Sequence, residues 1–247
     1  MSGHSRWAGI KHKKGALDAK RGKVFTRVVR ELTIAAKTGG GIPENNPRLR
    51  KAMEDAKSVN MPLENVKKAV QRGTGELPGL VYEEISYEGY GPGGAAVYVT
   101  GTSDNKNRTT SEIRKMFSSH GGNLGTPGSV AWMFHAKGLV TVDKGVWKNE
   151  DKLFSAALDA GAEDIKTDRP DAFEILTVPA DMEKVKTAVA AAGIPIATAD
   201  VALLPQSTVP LTGGHASQMM ALLEELENHD DVKDIHTNAE IPDQINV

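Results

Sequence analysis

The sequence predicts a multidomain α+β protein in which an N-terminal three-helix bundle precedes two α+β units, the last of them inserted into the middle one. Three observations carry this reading. Helical periodicity runs from about residue 16 to Gly73, and the pattern turns β-rich after Gly79. A complete β-α-β-β-α-β series from Leu139 then leaves one helix and one strand unpartnered near the C-terminal end. At 247 residues the chain exceeds what one core usually organises, so two or three domains are expected.

Over residues 16–37, Leu17, Val24, Phe25, Val28, Leu32, Ala35 and Ala36 fall on one helical face. Gly39, Gly40 and Gly41 stop that helix by offering positive φ. A second helix takes Asn46 as N-cap and Pro47 in its first turn, burying Leu49, Ala52, Met53 and Ala56. A third starts near Pro62, turns Leu63, Val66 and Val70 inward and ends before Gly73. Three short amphipathic helices with brief connections bury one small core.

Residues 81–88 and 95–102 read as antiparallel strands around the turn Gly91-Pro92-Gly93-Gly94. A helix over 108–119 closes at Gly121 and Gly122, and strands follow at 130–134 and 139–142. Helix 150–160, strands 163–166 and 172–178, helix 181–192 and strand 196–203 come next. From Leu139 this is the ferredoxin-like order, with two crossover helices on one face of a four-stranded sheet. Helix 214–228 and strand 232–237 then return to complete the unit begun at Val81. The expected domains are 1–78, 79–136 joined to 206–247, and 137–205 as the insertion.

An apolar fraction of 39% and a charged fraction of 25% are those of an ordinary globular protein. No apolar run is long enough to span a bilayer and the N-terminus is polar and basic, so no membrane partner and a cytoplasmic location are expected. The absence of cysteine excludes disulfides, thiolate chemistry and cysteine-based zinc sites. The net charge of −2 hides a steep division: residues 1–73 carry 17 Lys and Arg against 6 Asp and Glu, and the remainder carries 13 against 26. Such asymmetry points the basic part toward a nucleic acid or another anionic surface.

Lys20, Lys23, Arg27, Arg30 and Lys37 recur at helical spacing within an arc of about 100°, opposite the apolar face. Cations held in a row neutralise neighbouring phosphates together and release condensed counterions. The competing reading is a merely solvated face. It is disfavoured because the preceding tail adds Arg6, Lys11, Lys13 and Lys14, and because no carboxylate at i,i+4 balances Lys20 or Lys23, with only Glu31, four residues after Arg27, interrupting the surface of the helix. Trp7 in that tail is either a stacking platform for a base or a packing anchor. Asn107, as the cap of the helix at Arg108, would present Lys106 and Arg108 at a helix N-terminus, where an anion or plain solvent are both suitable.

Gly89, Gly91 and Gly94 match a dinucleotide fingerprint only in letters, because a strand stands on both sides where a helix is needed. No P-loop, serine elbow or zinc-protease motif is present, so no catalytic residue, small-molecule substrate or cofactor is expected. His229 and His236 beside Asp230, Asp231 and Asp234 are better read as solvated than as metal ligands. The acidic run from Glu224 to Asp231 would repel phosphates, so it should face away from the nucleic acid or contact the basic domain.

The opening Met-Ser-Gly-His-Ser-Arg-Trp through Lys11-His12-Lys13-Lys14 resembles the YebC family, as do Asn60-Met61-Pro62 and the run from Tyr87 to Gly94. The segment from Asp104 to Thr109, Gly121-Gly122-Asn123-Leu124-Gly125 and Gly128-Ser129-Val130 extend the likeness. That family includes the mitochondrial translational activator of cytochrome c oxidase subunit I. The resemblance implies a helical domain, two ferredoxin-like domains and a DNA-binding transcriptional regulator without enzymatic activity. It also implies an alternative, a translation factor that binds ribosomal or messenger RNA on the ribosome and eases synthesis of difficult stretches such as consecutive prolines. No recognition helix aims Asn, Gln or Arg at base edges, so the expected grip is on the backbone. On this reading the stripe is solvent-directed, and reversing Lys20, Lys23, Arg27 and Arg30 leaves the fold intact.

Overall fold

The computed structural model describes residues 19–241, with side chains from Gly22 onward. Seven α-helices and ten strands follow one another among these residues. They are α1 (Ala19–Gly39), α2 (Pro47–Ser58), α3 (Leu63–Thr74), β1 (Glu83–Tyr90), β2 (Ala96–Ser103), α4 (Lys106–Ser119), β3 (Asn123–Leu124) and β4 (Phe134–Asp143). Then come α5 (Glu150–Asp159), β5 (Asp164–Lys166), β6 (Ala172–Thr177), α6 (Met182–Ala191), β7 (Thr198–Pro205), β8 (Val209–Pro210), α7 (Gly213–Asn228), β9 (Val232–Thr237) and β10 (Ala239–Glu240).

The first three helices enclose a core of Leu32, Ala35, Leu49, Ala52, Ala56, Met61, Val66 and Ala69. Asn46 closes two helix ends at once. Its side-chain oxygen accepts from the Leu49 N–H at 3.0 Å, and its amide donates to Ala35 O at 2.7 Å and Gly40 O at 2.8 Å, so both the start of α2 and the end of α1 are satisfied. Two expectations fail here. Leu63 points outward at 82% exposure. The third helix also runs through Gly73 to Thr74 and stops at Gly75, whose φ is 84°. Gly73 is instead a crossing point, because a Cβ there would overlap Thr33 O and lie 2.7 Å from the Ala36 Cβ.

β1 and β2 form the antiparallel hairpin, and the middle sheet has the order β3-β1-β2-β9. α4 and α7 cover one face of it over Val97, Val99, Ile113, Phe117, Met219, Leu222 and Leu226. The chain enters this sheet through a hairpin, whereas the sheet built from 134–205 has the β-α-β-β-α-β connection and the order β5-β6-β4-β7. β9 pairs antiparallel with β2 from Thr237↔Val97 onward, so the C-terminal strand returns across the whole intervening unit. The second face of the middle sheet meets that unit through Tyr98, Phe134 and His236, whose rings lie 6.1–6.3 Å apart. α5 and α6 cover one face of β4–β7 around Val140, Leu153, Phe173, Ile175 and Val185.

Residues 130–134, expected as a strand, instead form a 3-10 turn at Ala131–Met133 that leads into β4. The cause is Glu88. Its carboxylate accepts the N–H groups of Gly128, Val130 and Ala131, each at 2.7 Å, and amides bonded to a side chain do not enter strand pairing. Burial alone would raise the pKa of this group, but those three donors hold it below the usual carboxylate value. No helix among the described residues is long and apolar enough to cross a membrane.

Gly73→Ala should destabilise the protein by roughly 1–3 kcal/mol through overpacking of α1 on α3. Urea unfolding followed by circular dichroism reads the change, and an unaltered midpoint would refute the close-approach assignment.

Candidate nucleic-acid interface

Helix α1 sits between two partners. One face enters the bundle core, and the opposite face, which carries the basic stripe, lies against the turn between α7 and β9. Five consecutive residues, Leu32 to Ala36, are buried, which a helix shows only when it is covered all round. This corrects the solvent-directed reading of the stripe. Lys23 Nζ donates to Asn228 O at 2.9 Å, and Arg27 donates to the carbonyls of Glu227 and His229. The Glu227 and Asn228 carbonyls are the last of α7, left without intrahelical partners at the negative end of the helix dipole, and His229 is the residue that follows it. Burial lowers the pKa of Arg27, against the attraction of Glu227, Asp234 and Asp230.

Arg30 reaches furthest. It donates to Asp230 O at 2.8 Å and Thr102 O at 3.2 Å, stands 5.2 Å over the Tyr82 ring and pairs with Asp231 Oδ1 at 2.6 Å. The Asp231 carboxylate, 2% exposed, also accepts from Arg108 at 2.8 Å and from Thr109 Oγ1 at 2.5 Å. Burial would raise its pKa; the Thr109, Arg108 and Arg30 donors outweigh burial and bring it to about 2. One carboxylate thus ties α1, the first turn of α4 and the start of β9 together. Asp231 O accepts from Thr102 N at 2.8 Å, beside the β2 bulge at Gly101, where a Cβ would collide with that same oxygen.

Further ion pairs close the seam, Glu31–Lys233, Arg48–Glu84 and Lys51–Asp200. Glu31 on α1 receives Arg48 at 2.7 Å and Lys233 at 2.9 Å. Burial would raise the Glu31 pKa, but these donors lower it. On the far side, Lys51 of α2 lies 3.6 Å from Asp200 of β7. Three clefts of about 90, 270 and 670 Å³ run along this junction.

The remaining candidates divide into three sets. Arg6, Trp7, Lys11, Lys13 and Lys14 lie outside the described residues, and Lys20 belongs to α1 by its backbone only. Lys37 is exposed, with a 3.4 Å contact to Tyr82 O. Lys106 pairs with Glu83 at 2.8 Å, and Arg108 pairs with Asp104 as well as Asp231. The cap of α4 is Asn105, not Asn107: its side chain accepts from Arg108 N at 3.1 Å. Four cations that form no stripe in the sequence, Arg50, Lys57, Lys67 and Arg72, are exposed on α2 and α3 and have no ion-pair partner among the described residues. Only Ile34 signals the docking in advance. It lies inside the basic arc, four residues after Arg30, and is 2% exposed.

The acidic run contacts the basic domain, one of its two expected placements, through Asp231 and the α7 carbonyls. His229 pairs with Glu112 at 2.9 Å. Among the described residues no group of three or more His, Asp or Glu is placed to hold a metal ion. The Gly89–Gly94 stretch joins strand to strand through a 3-10 turn at Pro92–Gly94 and offers no helix N-terminus to a pyrophosphate.

Known proteins resemble this chain along its whole length. Residues 5–76 match the model of the TACO1/YebC protein N-terminal domain, and residues 82–239 match that of the TACO1/YebC second and third domain. A "Probable transcriptional regulatory protein" of Dictyoglomus turgidum is 52% identical over 245 residues, covering 99% of this chain and 98% of the relative. One from Desulforapulum autotrophicum is 53% identical, with the same coverage. The crystal structure of a conserved hypothetical protein from Aquifex aeolicus superposes with a TM-score of 0.82 at 45% identity, over 97% of this chain and 98% of that one.

Asp231→Ala should cost roughly 3–5 kcal/mol, because it leaves two guanidinium groups without their shared anion. The pKa of Asp231 is depressed in the folded state, so its contribution is complete above the ordinary value of 3.8 and disappears as pH falls through about 2. Acid unfolding of the wild type should therefore steepen in that window, and Asp231→Asn should flatten it. Identical acid profiles for the two proteins would refute the assignment.

Proposed function

The chain belongs to the TACO1/YebC family, and from that premise we propose that it is a non-enzymatic regulator of gene expression that grips the phosphate backbone of DNA. The observation that carries this is the excess of cations in the N-terminal part. Six Lys and Arg stand against one Asp over residues 1–21, and Arg50, Lys57, Lys67 and Arg72 are exposed without ion pairs among the described residues. Cations without acidic neighbours release counterions when they meet phosphates, which supplies sequence-independent affinity. The many relatives named as transcriptional regulatory proteins support the regulatory part of the reading.

A second reading, binding of ribosomal or messenger RNA in translation, is favoured by one observation. The arginine face of α1 is turned into the molecule, so it does not lie free as a helix for a DNA major groove, and backbone and shape recognition suit structured RNA. The sheet β4–β7 is not the surface for it. Its face away from α5 and α6 carries Leu139, Thr141, Glu174, Thr198 and Asp200, without an aromatic platform for bases.

Charge reversal of Lys11, Lys13 and Lys14 should weaken binding to mixed-sequence duplex DNA and lower the slope of log K against log salt by about 0.9 for each phosphate no longer neutralised. Fluorescence anisotropy across a salt series reads both, and unchanged affinity with an unchanged slope would sink the proposal. Co-sedimentation with ribosomes at moderate salt, together with failure to bind duplex DNA, would select the second reading.

A further inference from the structure

Residues 227–231 present α1 with a row of oxygen acceptors. Lys23, Arg27 and Arg30 meet closely spaced oxygens: the carbonyls of Glu227, Asn228, His229 and Asp230, and the Asp231 carboxylate. We propose that the turn between α7 and β9 is a built-in competitor for nucleic acid: it occupies Lys23, Arg27 and Arg30 in the closed protein, and a phosphodiester backbone gains them only by displacing it. The inference rests on the nucleic-acid reading above and adds its regulation.

Three features make the turn displaceable. The seam is held by ion pairs and charge-assisted hydrogen bonds and is incompletely filled, with the clefts of about 90, 270 and 670 Å³ along it. The docking is also imperfect for its cations, since Nε of both Arg27 and Arg30 is buried without a hydrogen-bond partner, a deficit that release to phosphate or water would repair. Finally, the bundle core contains no residue of the middle domain, and the connecting residues 75–82 are mostly exposed. Undocking therefore opens neither core.

In such a competition the apparent affinity falls by the fraction of molecules that are open, so a closed form favoured by tenfold or more costs the ligand the same factor. The seam offers a lock. Glu31 and Lys233 meet across it through the tips of their long side chains, at 2.9 Å, and the chain has no cysteine, so Glu31→Cys with Lys233→Cys in the full-length protein gives one thiol pair that a short bis-maleimide bridges across the span those side chains fill. The bridged and unbridged forms of this double variant are titrated onto a short mixed-sequence DNA duplex and onto an RNA duplex of the same sequence. The unbridged form should bind at least about tenfold more tightly, on both probes if the backbone alone is read and on one if its geometry matters. Equal affinity of the two forms overturns the competitor while leaving the functional reading standing. Absence of binding by the wild type and by both forms, even at low salt, overturns that reading and the inference with it. As an independent arm, Asp231→Asn should tighten binding about tenfold, and adding Arg27→Gln and Arg30→Gln should remove the gain. Tightening that survives those two changes overturns the assignment of the stripe.

Discussion

The buried Asp231 carboxylate is the constraint on which the arrangement of the bundle and the middle domain depends. A carboxylate at 2% exposure needs donors on both oxygens, and it finds them on two different domains: Arg30 on one, Arg108 and Thr109 on the other. Apolar contacts of the same size could stabilise a seam equally well. What the ion cluster adds is direction, because Arg30 must enter beside Tyr82 and Arg108 must lie at the first turn of α4 for both to reach one acceptor. The backbone follows the same demand. Gly101 leaves room for Asp231 O, and the bulge at Thr100/Gly101 turns β2 so that Thr102 can donate to that oxygen.

The elements themselves are legible where periodicity and caps agree. Asn46-Pro47 announces α2, the alternation after Gly79 announces the hairpin, and the helix over residues 214–228 with its following strand has to find a sheet elsewhere. Two of the failures arise from contacts between residues distant in sequence, and the third from a local one. Val130 carries strand-like character, but Glu88, forty-two residues earlier, takes its amide and turns the segment into a 3-10 turn. Gly73 reads as a terminator because the closeness of α1 to α3 is invisible along the chain. Asn105 rather than Asn107 caps α4 because Ser103, through a 2.9 Å bond from the Asn105 N–H, already turns the loop there.

The site is half legible for a related reason. A cationic stripe opposite an apolar face looks solvent-exposed only if nothing else in the molecule is anionic, and this chain carries an excess of 13 negative charges beyond residue 73. The charge asymmetry that suggests an external polyanion also describes an internal one. Ile34 breaks the tie: an apolar residue within a basic arc has no place on a face built solely for phosphates, and here it is buried.

Internal and external uses of the same cations do not exclude each other. Arginines held by main-chain carbonyls are held by partial charges, whereas a phosphate oxygen brings a full one, so the exchange favours the ligand at each such position. The exception is Arg30, whose present partner is a full carboxylate shared with Arg108. That residue is the one whose release costs most. A ligand that engaged only Lys23 and Arg27 would leave the hinge at Asp231 intact and loosen the seam from one end, through the 670 Å³ cleft that opens between Lys23 and Lys115. Full separation demands a ligand with enough phosphates to compensate Arg30 too. On the proposed competition, the geometry sets a threshold in ligand length that a single anion does not reach.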